Sequence, residues 1–567
     1  MYFKYLVKVP DSDAAVTRKR INGITYVYYA YGRTYDPVKK YSVPKNTTIG
    51  KCLALDPSMM YPNANYLRFF PNEDPSGEDS EKIRSACLKI GPYVVIKKIV
   101  DEYKLRELLC SSLEGDPGLF LDLAAYTIIT ENNAGQYYPC YAYDHPLFTK
   151  GMKIMSDSTV SRYLSGLSRA ESSGFQSHWT KAHKTEDMVY VSYDSTNKDC
   201  QAGDIHLAEF GHPKDGSGLP VVNFAVTYDT DNSVPLFYED YPGSIVDISE
   251  LKYMVEKAKA YGYEKLCFIL DRGYFSEPNL HAMEKAGYSF IIMMKGMKDL
   301  VRETVLSVKG TFEEDYTYNI REYKLSGITV KKKLFDTDTK ERYVHIYYSD
   351  QRKSLDREKL EKRLDEYDAL LEKHEGKEYP FPKSLLRYYS PSYSPKNKSL
   401  FLCATKKTDA INEMIRTCGY FCLITSDSMT AAEAIRKYKG RDVSEKLFRG
   451  DKSYLGDQCY RIQSEESLHA KVFVEFVALI IRNRIYTCLH EQARQSLKKQ
   501  NYMNVVAAVK ELEKIEMIRK PDGSYMLDHA VTATQKEILK AFGMTADDVK
   551  SEASKISEVL EPKKEEA

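Results

Sequence analysis

Three carboxylates stand at positions where the chain could hold divalent metal ions. Asp194 and Asp271 each follow a short apolar run typical of a buried strand, MVYVSY and KLCFIL, and Glu445 lies in a later segment with helical periodicity. Ligands collect at the carboxyl ends of strands in an open α/β sheet. Carboxylate oxygens suit Mg²⁺, and two such ions can promote phosphoryl transfer. Because an Asp after a strand is also a common turn residue, each acid alone is a weak signal.

Four polar residues near Glu445 share a helical spacing. Tyr438, Arg441, Glu445 and Lys452 follow the pattern Y-x2-R-x3-E-x6-K. At about 100° per residue, their side chains fall within a sector of roughly 60°. One helix face would then carry a metal-binding acid, a guanidinium fork for phosphate, an ammonium group and a phenol. A solvated face with i,i+4 ion pairs explains the same spacing, so spacing alone leaves both interpretations open.

The elements that must position these residues form an interrupted α/β pattern. Strand, strand, helix, strand, helix and strand follow one another, then a β-rich stretch intervenes, and then a strand and helices resume. The pattern predicts six regions: a small β-rich domain at 1–80, a helical region at 81–185, the first part of the core at 186–298, a β-rich insertion with a charged helix at 299–412, the second part of the core at 413–495, and a helical C-terminal region with a charged tail at 496–567.

Composition indicates a cytoplasmic chain with no membrane segment. The formal charge is +1, and none of the 11 cysteines forms a C-x-x-C pair, which favours reduced thiols over disulfides or zinc. The N-terminus lacks the apolar run of a signal peptide. The most apolar stretch, Val472–Ile481, contains Glu475 and is too short to span a bilayer.

Three blocks of the sequence resemble one protein family. The run YDST at 193–196, the run LDRGYFS at 270–276 and the pattern from Tyr438 to Lys452 resemble the DDE transposases of bacterial insertion sequences, in particular the group marked by the YREK motif. The blocks come in the family's order, with a long β-rich gap before the Glu. The segment 467–485 is similar to the helix that closes the family's core.

This resemblance implies a fold and a metal site. The fold is of the α/β class, an RNase H-like mixed-sheet core interrupted by a β-rich insertion subdomain, with a small N-terminal β domain and helical segments. Asp194, Asp271 and Glu445 match the family's catalytic, metal-binding triad. The cofactor implied is Mg²⁺, as two ions, with Mn²⁺ as a substitute.

The resemblance also implies contacts with DNA. Tyr438, Arg441 and Lys452 match residues that grip phosphates near the 5′ end of the mobile element, and Arg272 is expected either to contact the DNA backbone or to pack. Regions 1–80 and 81–185 are candidate DNA-binding regions. The first fifty residues contain nine Lys and Arg but only three Asp. The basic, tyrosine-rich segment 18–51 is typical both of a surface that binds DNA phosphates and of an ordinary small β domain.

The implied activity is cut-and-paste transposition. The protein would cleave DNA at the ends of an insertion sequence and transfer the 3′-OH into target DNA. It would act on double-stranded DNA as a homodimer, in the bacterial cytoplasm and at the nucleoid. A metal-dependent DNA nuclease of the same fold and a catalytically silent DNA-binding relative remain as alternatives. Some relatives use a Trp near the catalytic Glu or in the insertion, whereas the single Trp here is Trp179, which leaves a hairpin intermediate open.

Overall fold

The computed structural model describes most of the chain. The described residues are 2, 6–10, 15–21, 23–36, 40–53, 56–70, 84–202, 205–211, 218–245, 247–295, 299–441, 459–462, 464–496 and 501–561. They divide into two compact units, a first unit of Met1–Ser85 and a second unit of Ala86–Ala567.

The first unit is an antiparallel sheet with one helix. Its elements are β1 (Val7–Lys8), β2 (Val16–Ile21), β3 (Ile24–Asp36), β4 (Tyr41–Cys52), β5 (Met59–Pro62) and α1 (Ala64–Phe69). These strands pair in the order β1-β5-β4-β3-β2. Val27, Ile49, Met60 and Tyr66 form its buried core. The β-branched and aromatic composition fits a pleated, half-buried surface, and the predicted small β domain is confirmed.

The second unit opens with a helical layer. Its elements are β6 (Cys87–Lys89), α2 (Gly91–Glu102), α3 (Leu105–Cys110), α4 (Gly118–Thr130), α5 (Tyr138–Asp144), α6 (Asp157–Gly166) and α7 (Arg169–His183). Residues 155–173 have the composition of one continuous helix, but the structure divides them between α6 and α7. The Ser168 hydroxyl accepts a hydrogen bond from the Glu171 N–H in a capping box, so a new helix starts there instead of the old one continuing.

A central sheet follows the helical layer. Its first elements are β7 (Val189–Asp199), β8 (Val221–Asp229), β9 (Val234–Pro242), α8 (Asp247–Ala260), β10 (Leu266–Leu270), α9 (Glu277–Ala286) and β11 (Ser289–Met293). β7, β8 and β9 are antiparallel neighbours, whereas β10 runs parallel to β7 and β11 parallel to β10. The order β9-β8-β7-β10-β11 is the RNase H-like arrangement, so the predicted fold class is confirmed.

The stretch that the sequence predicts as an insertion contributes to the same sheet. The elements that follow β11 are α10 (Asp299–Val308), β12 (Asn319–Ile320), β13 (Leu325–Lys332), β14 (Arg342–Tyr348), α11 (Asp350–Lys373), α12 (Lys383–Leu386), β15 (Tyr389–Tyr393), β16 (Phe401–Lys406), α13 (Thr408–Arg416), β17 (Tyr420–Thr425) and α14 (Ala431–Gly440). β17 pairs antiparallel with both β11 and β14, so β14, β13 and β12 extend the core sheet. Only α11 to α13 with β15 and β16 build a separate small core, around Leu385 and Phe401.

The C-terminal elements close the second unit. They are α15 (Glu465–Gln495), α16 (Val505–Leu512), β18 (Glu516–Arg519), β19 (Tyr525–Leu527), α17 (Ala533–Lys540) and α18 (Ala546–Leu560). Phe473 of α15 packs against Phe120 of α4 at 4.6 Å between ring centroids. β18 pairs with β6, which lies more than four hundred residues earlier in the chain. Among the described residues, no helix is long and apolar enough to cross a membrane.

Candidate active site

Asp194 lies in the middle of β7 and not at its end. The sequence interpretation that the strand ends at this acid is wrong, because β7 continues to Asp199 and stays paired with β8 throughout. Ser195, Thr196 and Lys198 beyond it are buried. The recorded pairing of β7 with β10 ends at Ser192, so Asp194 lies just past the point where the parallel pair stops.

Asp271 follows β10 directly, as the sequence predicts. The last pair between β10 and β7 joins Ile269 to Ser192, so two residues further along the parallel strands the chain reaches Asp271 on one and Asp194 on the other. The Asp271 carboxylate accepts a hydrogen bond of 2.7 Å from the Arg272 N–H and caps a short helical turn. Its side chain is 43% exposed, which leaves room for a ligand.

The turn after Asp271 is tied to the strand that carries Asp194. Tyr274 is buried, and its hydroxyl donates a hydrogen bond of 3.2 Å to the Ser195 hydroxyl oxygen. The Tyr274 ring also packs edge-on against Tyr193, with 5.1 Å between centroids. These contacts flank Asp194 on both sides, so they fix the backbone of the two acids relative to each other.

Helix α14 brings two further predicted residues to Asp271. The Tyr438 hydroxyl lies 3.4 Å from Asp271 Oδ1, and Arg441 Nη1 lies 3.6 Å from Asp271 Oδ2. The guanidinium carbon of Arg441 lies 5.3 Å from the centre of the Tyr438 ring. Thr430 and Glu433 start the helix with a capping box. A cation and a phenol donor thus stand beside the carboxylate.

Packing holds α14 against the sheet. Tyr438 and Ile435 belong to a small apolar cluster that also contains Cys267 and Ile269 of β10. The same face of the helix therefore anchors it on the strand that ends in Asp271. The hydroxyl of Tyr438 extends beyond this cluster to the carboxylate.

The remaining predicted residues differ in what the structure shows. α14 ends at Gly440, and Arg441 forms its C-cap. Glu445 and Lys452 lie outside the described residues, so a single helix through all four YREK positions stays a prediction. Arg272 is exposed at the turn beside Asp271. The structure therefore brings together Asp271, Tyr438 and Arg441, with Asp194 on the neighbouring strand.

The donor set fits part of a hard-cation site. Two carboxylates at the same level of adjacent parallel strands offer the oxygen ligands that divalent magnesium or manganese ions prefer. Across the described part of the chain, no group of three or more His, Cys, Asp or Glu is placed to hold a metal. The third predicted ligand, Glu445, belongs to the segment outside that part.

A buried ion pair joins β7 to α15, and the sequence interpretation missed it. Lys198 pairs with Glu475 of α15, and the side chains are 0% and 4% exposed. The Lys198 ammonium also lies 5.4 Å from the centre of the Tyr460 ring. The sequence carries a signal at Glu475 alone, which stands in the apolar stretch Val472–Ile481, because a buried charge needs a partner.

A second polar cluster joins α15 to β9. His469 Nδ1 contacts the Asp240 carboxylate, and Arg169 Nη2 approaches the same carboxylate at 3.7 Å. Burial raises the pKa of Asp240, but the hydrogen bond and charge of His469, together with the charge of Arg169, outweigh it and leave that pKa lowered. Asp240 is therefore a charged anchor for the start of α15.

Comparison with known proteins places the chain in a family. The model of the transposase DDE domain matches residues 190–481, just over half of the 567 residues, from the start of β7 to the middle of α15. No curated protein matches in sequence. A piggyBac transposase in a synaptic complex with hairpin DNA, solved by cryo-EM, is 11% identical over 84% of each chain, with a TM-score of 0.33 that does not establish a shared fold. On the strength of the domain match, the chain belongs to the transposase DDE domain family.

Proposed function

We propose that this protein is a cut-and-paste DNA transposase of the YREK group, in which Asp194, Asp271 and Glu445 hold two Mg²⁺ ions. The observation that carries the proposal is the register of β7 and β10, which brings Asp194 and Asp271 to the same level inside the matched domain. The contacts of Tyr438 and Arg441 with Asp271 support it, because they bring the first two residues of the YREK pattern to the same carboxylate.

The side chains suggest how DNA would be handled. Bound divalent ions supply Lewis-acid polarisation of the reacting phosphate. Arg441 offers a guanidinium fork suited to a phosphate oxygen, and Tyr438 offers a hydroxyl donor. In the reaction, water attacks the phosphorus at the element end and the P–O3′ bond breaks. The freed 3′-OH then attacks a phosphodiester of the target, whose own 3′ oxygen leaves.

The proposal includes the setting and the assembly. The chain would act in the bacterial cytoplasm, at the nucleoid, on two element ends held together by a homodimer. Alignment of two ends requires two active sites, and a twofold pair of chains is the simplest arrangement that supplies them. Light scattering of the protein mixed with DNA from the flanks of its gene tests this, and a complex with one chain only would contradict the dimer.

The direct test is metal-dependent cleavage and joining. We expect wild-type protein with Mg²⁺ or Mn²⁺ to cut labelled flanking DNA at a defined end and to join it to a second duplex. Asp194→Asn, Asp271→Asn and Glu445→Gln should each abolish both steps while leaving DNA binding in place, because each keeps side-chain shape and removes a charged ligand. Asp231→Asn is the matched control, since Asp231 is half-exposed and pairs with Lys437 away from the two acids.

The outcomes separate the possible activities. Cleavage without joining would favour a nuclease of the same fold. Binding without cleavage in either metal would favour a silent relative. Full activity in any one of the three variants would remove that residue from the metal site.

A further inference from the structure

The β3–β4 hairpin of the first unit extends past the rest of its sheet. β2 pairs with β3 only from Ile24 to Tyr29, and β5 pairs with β4 only from Gly50 to Cys52. Beyond these limits β3 and β4 pair only with each other, and past a register shift between Ala30 and Gly32 five pairs join 32–36 to 41–45. These ten residues are called the ribbon. In the described part of the first unit, it is a two-stranded element with no third strand.

The ribbon exposes large aromatic and basic side chains on both faces. Tyr35 is 61% and Tyr41 57% exposed, and Arg33 and Lys45 are also exposed. The register places Arg33 and Tyr35 on one face and Tyr41 and Lys45 on the other, because neighbouring side chains alternate along each strand. Exposed aromatics and cations together mark a surface that binds another molecule.

Charge indicates what kind of molecule this is. The chain as a whole carries only +1, yet nine Lys and Arg face three Asp in its first fifty residues. Exposed Arg18, Lys19 and Arg20 lie on β2, where they pair with Thr25–Val27 in the sheet that the ribbon extends. Lys19 and Lys51 both pair with Tyr26 across the sheet, so they share a face. A basic sheet that continues into a basic ribbon is complementary to a polyanion with an extended, regular backbone.

The dimensions of the ribbon match the major groove of duplex DNA. Its strands lie about 4.8 Å apart, so with side chains it is roughly as wide as the major groove of B-DNA, about 12 Å. Its five pairs span about 15 Å at the usual rise of about 3.4 Å per residue. The major groove accepts a two-stranded β-ribbon, and arginine there can bond guanine O6 and N7.

We propose that the ribbon enters the major groove of duplex DNA. Arg33 contacts base edges and Tyr35, on the same face, supplies an apolar contact. Lys45 and Tyr41 on the other face, and the cations of β2 further along the sheet, bind phosphates. The inference rests on the proposed function, since it assumes a DNA substrate. It goes further in assigning recognition of the element end to a surface of the first unit, outside the matched transposase domain.

The test measures protection of guanine N7 in the major groove. Full-length protein is bound to labelled duplex from the flanks of its gene and treated with dimethyl sulphate. We expect wild-type protein to protect specific guanines. Arg33→Ala/Tyr35→Ala/Lys45→Ala should lose this protection and bind the flank tenfold to a hundredfold more weakly, a range of about 1–3 kcal/mol. All three residues are exposed, so the variant should keep its fold, which its circular dichroism checks.

The control removes two cations elsewhere. Lys536→Ala/Lys540→Ala takes two exposed lysines from α17, so it matches the charge change without touching the ribbon, and it should bind and protect like wild type. Unchanged guanine protection in the ribbon variant would overturn the inference. So would tighter binding to single-stranded DNA of the same sequence, or no guanine protection by wild-type protein.

This experiment separates the inference from the proposed function. Ribbon-dependent guanine protection without metal-dependent cleavage would leave the groove assignment standing and remove the transposase activity. Cleavage that depends on Asp194 but not on the ribbon would do the reverse.

Discussion

Asp271 is contacted by Tyr438 of α14 and by Arg441, the C-cap of that helix, and the guanidinium of Arg441 compensates its charge. Arg441 is 10% exposed at the side chain and lies 3.6 Å from the carboxylate, whereas Tyr438 contributes a hydroxyl at 3.4 Å. A nearly buried guanidinium is poorly screened by water, so it interacts more strongly with a neighbouring charge than an exposed guanidinium does. The same cation that steadies the carboxylate can therefore hold a phosphate that arrives beside it.

Replacement of Arg441 tests this role. We expect Arg441→Ala to slow cleavage at least about tenfold and to misplace some cuts, because a charge-assisted bond to phosphate is worth roughly 1.5–3 kcal/mol. Arg436→Ala is the matched control on the same helix, since Arg436 is 61% exposed and pairs with exposed Glu322. The rate and position of cleavage are measured on flanking DNA. If Arg441→Ala cleaves at the wild-type rate and position, the YREK spacing is better explained by a solvated charged helix face.

The two aspartates show how far a sequence can place a site. Asp271 could be placed because a short apolar strand ends directly before it, and local pattern fixes that ending. Asp194 could be identified but was misplaced on its strand, since the polar run Ser195–Lys198 has the composition of a turn. That run is buried only because β8 pairs with it and because Glu475, 277 residues away from Lys198, neutralises the lysine. Neither partner can be read from the run itself.

Strand β7 depends on this ion pair for its position against α15. A buried charge that loses its partner destabilises a protein strongly, by about 3–5 kcal/mol, while replacement of both charges by apolar groups is often neutral. We expect Lys198→Met to lower the free energy of unfolding by about 3 kcal/mol or more and Lys198→Met/Glu475→Leu to recover most of it. Urea unfolding followed through the single Trp, Trp179, reports on this core, because Trp179 stacks on Phe175, which packs on Phe473 of α15.

A matched lysine shows whether the effect belongs to the ion pair. Lys252→Met changes an exposed lysine of α8 and should leave the urea midpoint nearly unchanged. If Lys198→Met unfolds at the wild-type midpoint, β7 does not depend on the pair. If the double variant is as unstable as the single one, apolar packing cannot replace it.

The parts of the fold that local pattern could predict are those whose partners lie nearby in the chain. The sheet from β7 to β11 follows from alternating strands and helices, and the antiparallel β3–β4 pair follows from a continuous run of strand formers. The joining of β12 to β14 onto the core sheet through β17 could not be predicted, since strand composition does not specify a neighbour. The strands β18 and β19 were missed for a related reason: β18 is short, and its pairing with β6 closes the chain over more than four hundred residues.

That long-range closure has a steric requirement at Gly91, where α2 begins. A Cβ at this position would overlap the Leu512 carbonyl oxygen and lie 2.9 Å from its carbonyl carbon, both in the backbone at the end of α16. Backbone cannot rotate aside, so α2 and α16 would have to separate and weaken the β6–β18 pairing next to them. We expect Gly91→Ala to lower the free energy of unfolding by about 1–3 kcal/mol, the usual cost of overpacking.

Gly166→Ala, at the end of α6 with open space around it, should be neutral or stabilising by up to about 1 kcal/mol. Urea unfolding monitored by Trp179, which packs on Tyr103 at the end of α2, measures both variants. Equal stability of the two would mean that the ends of the second unit are not locked together at this contact.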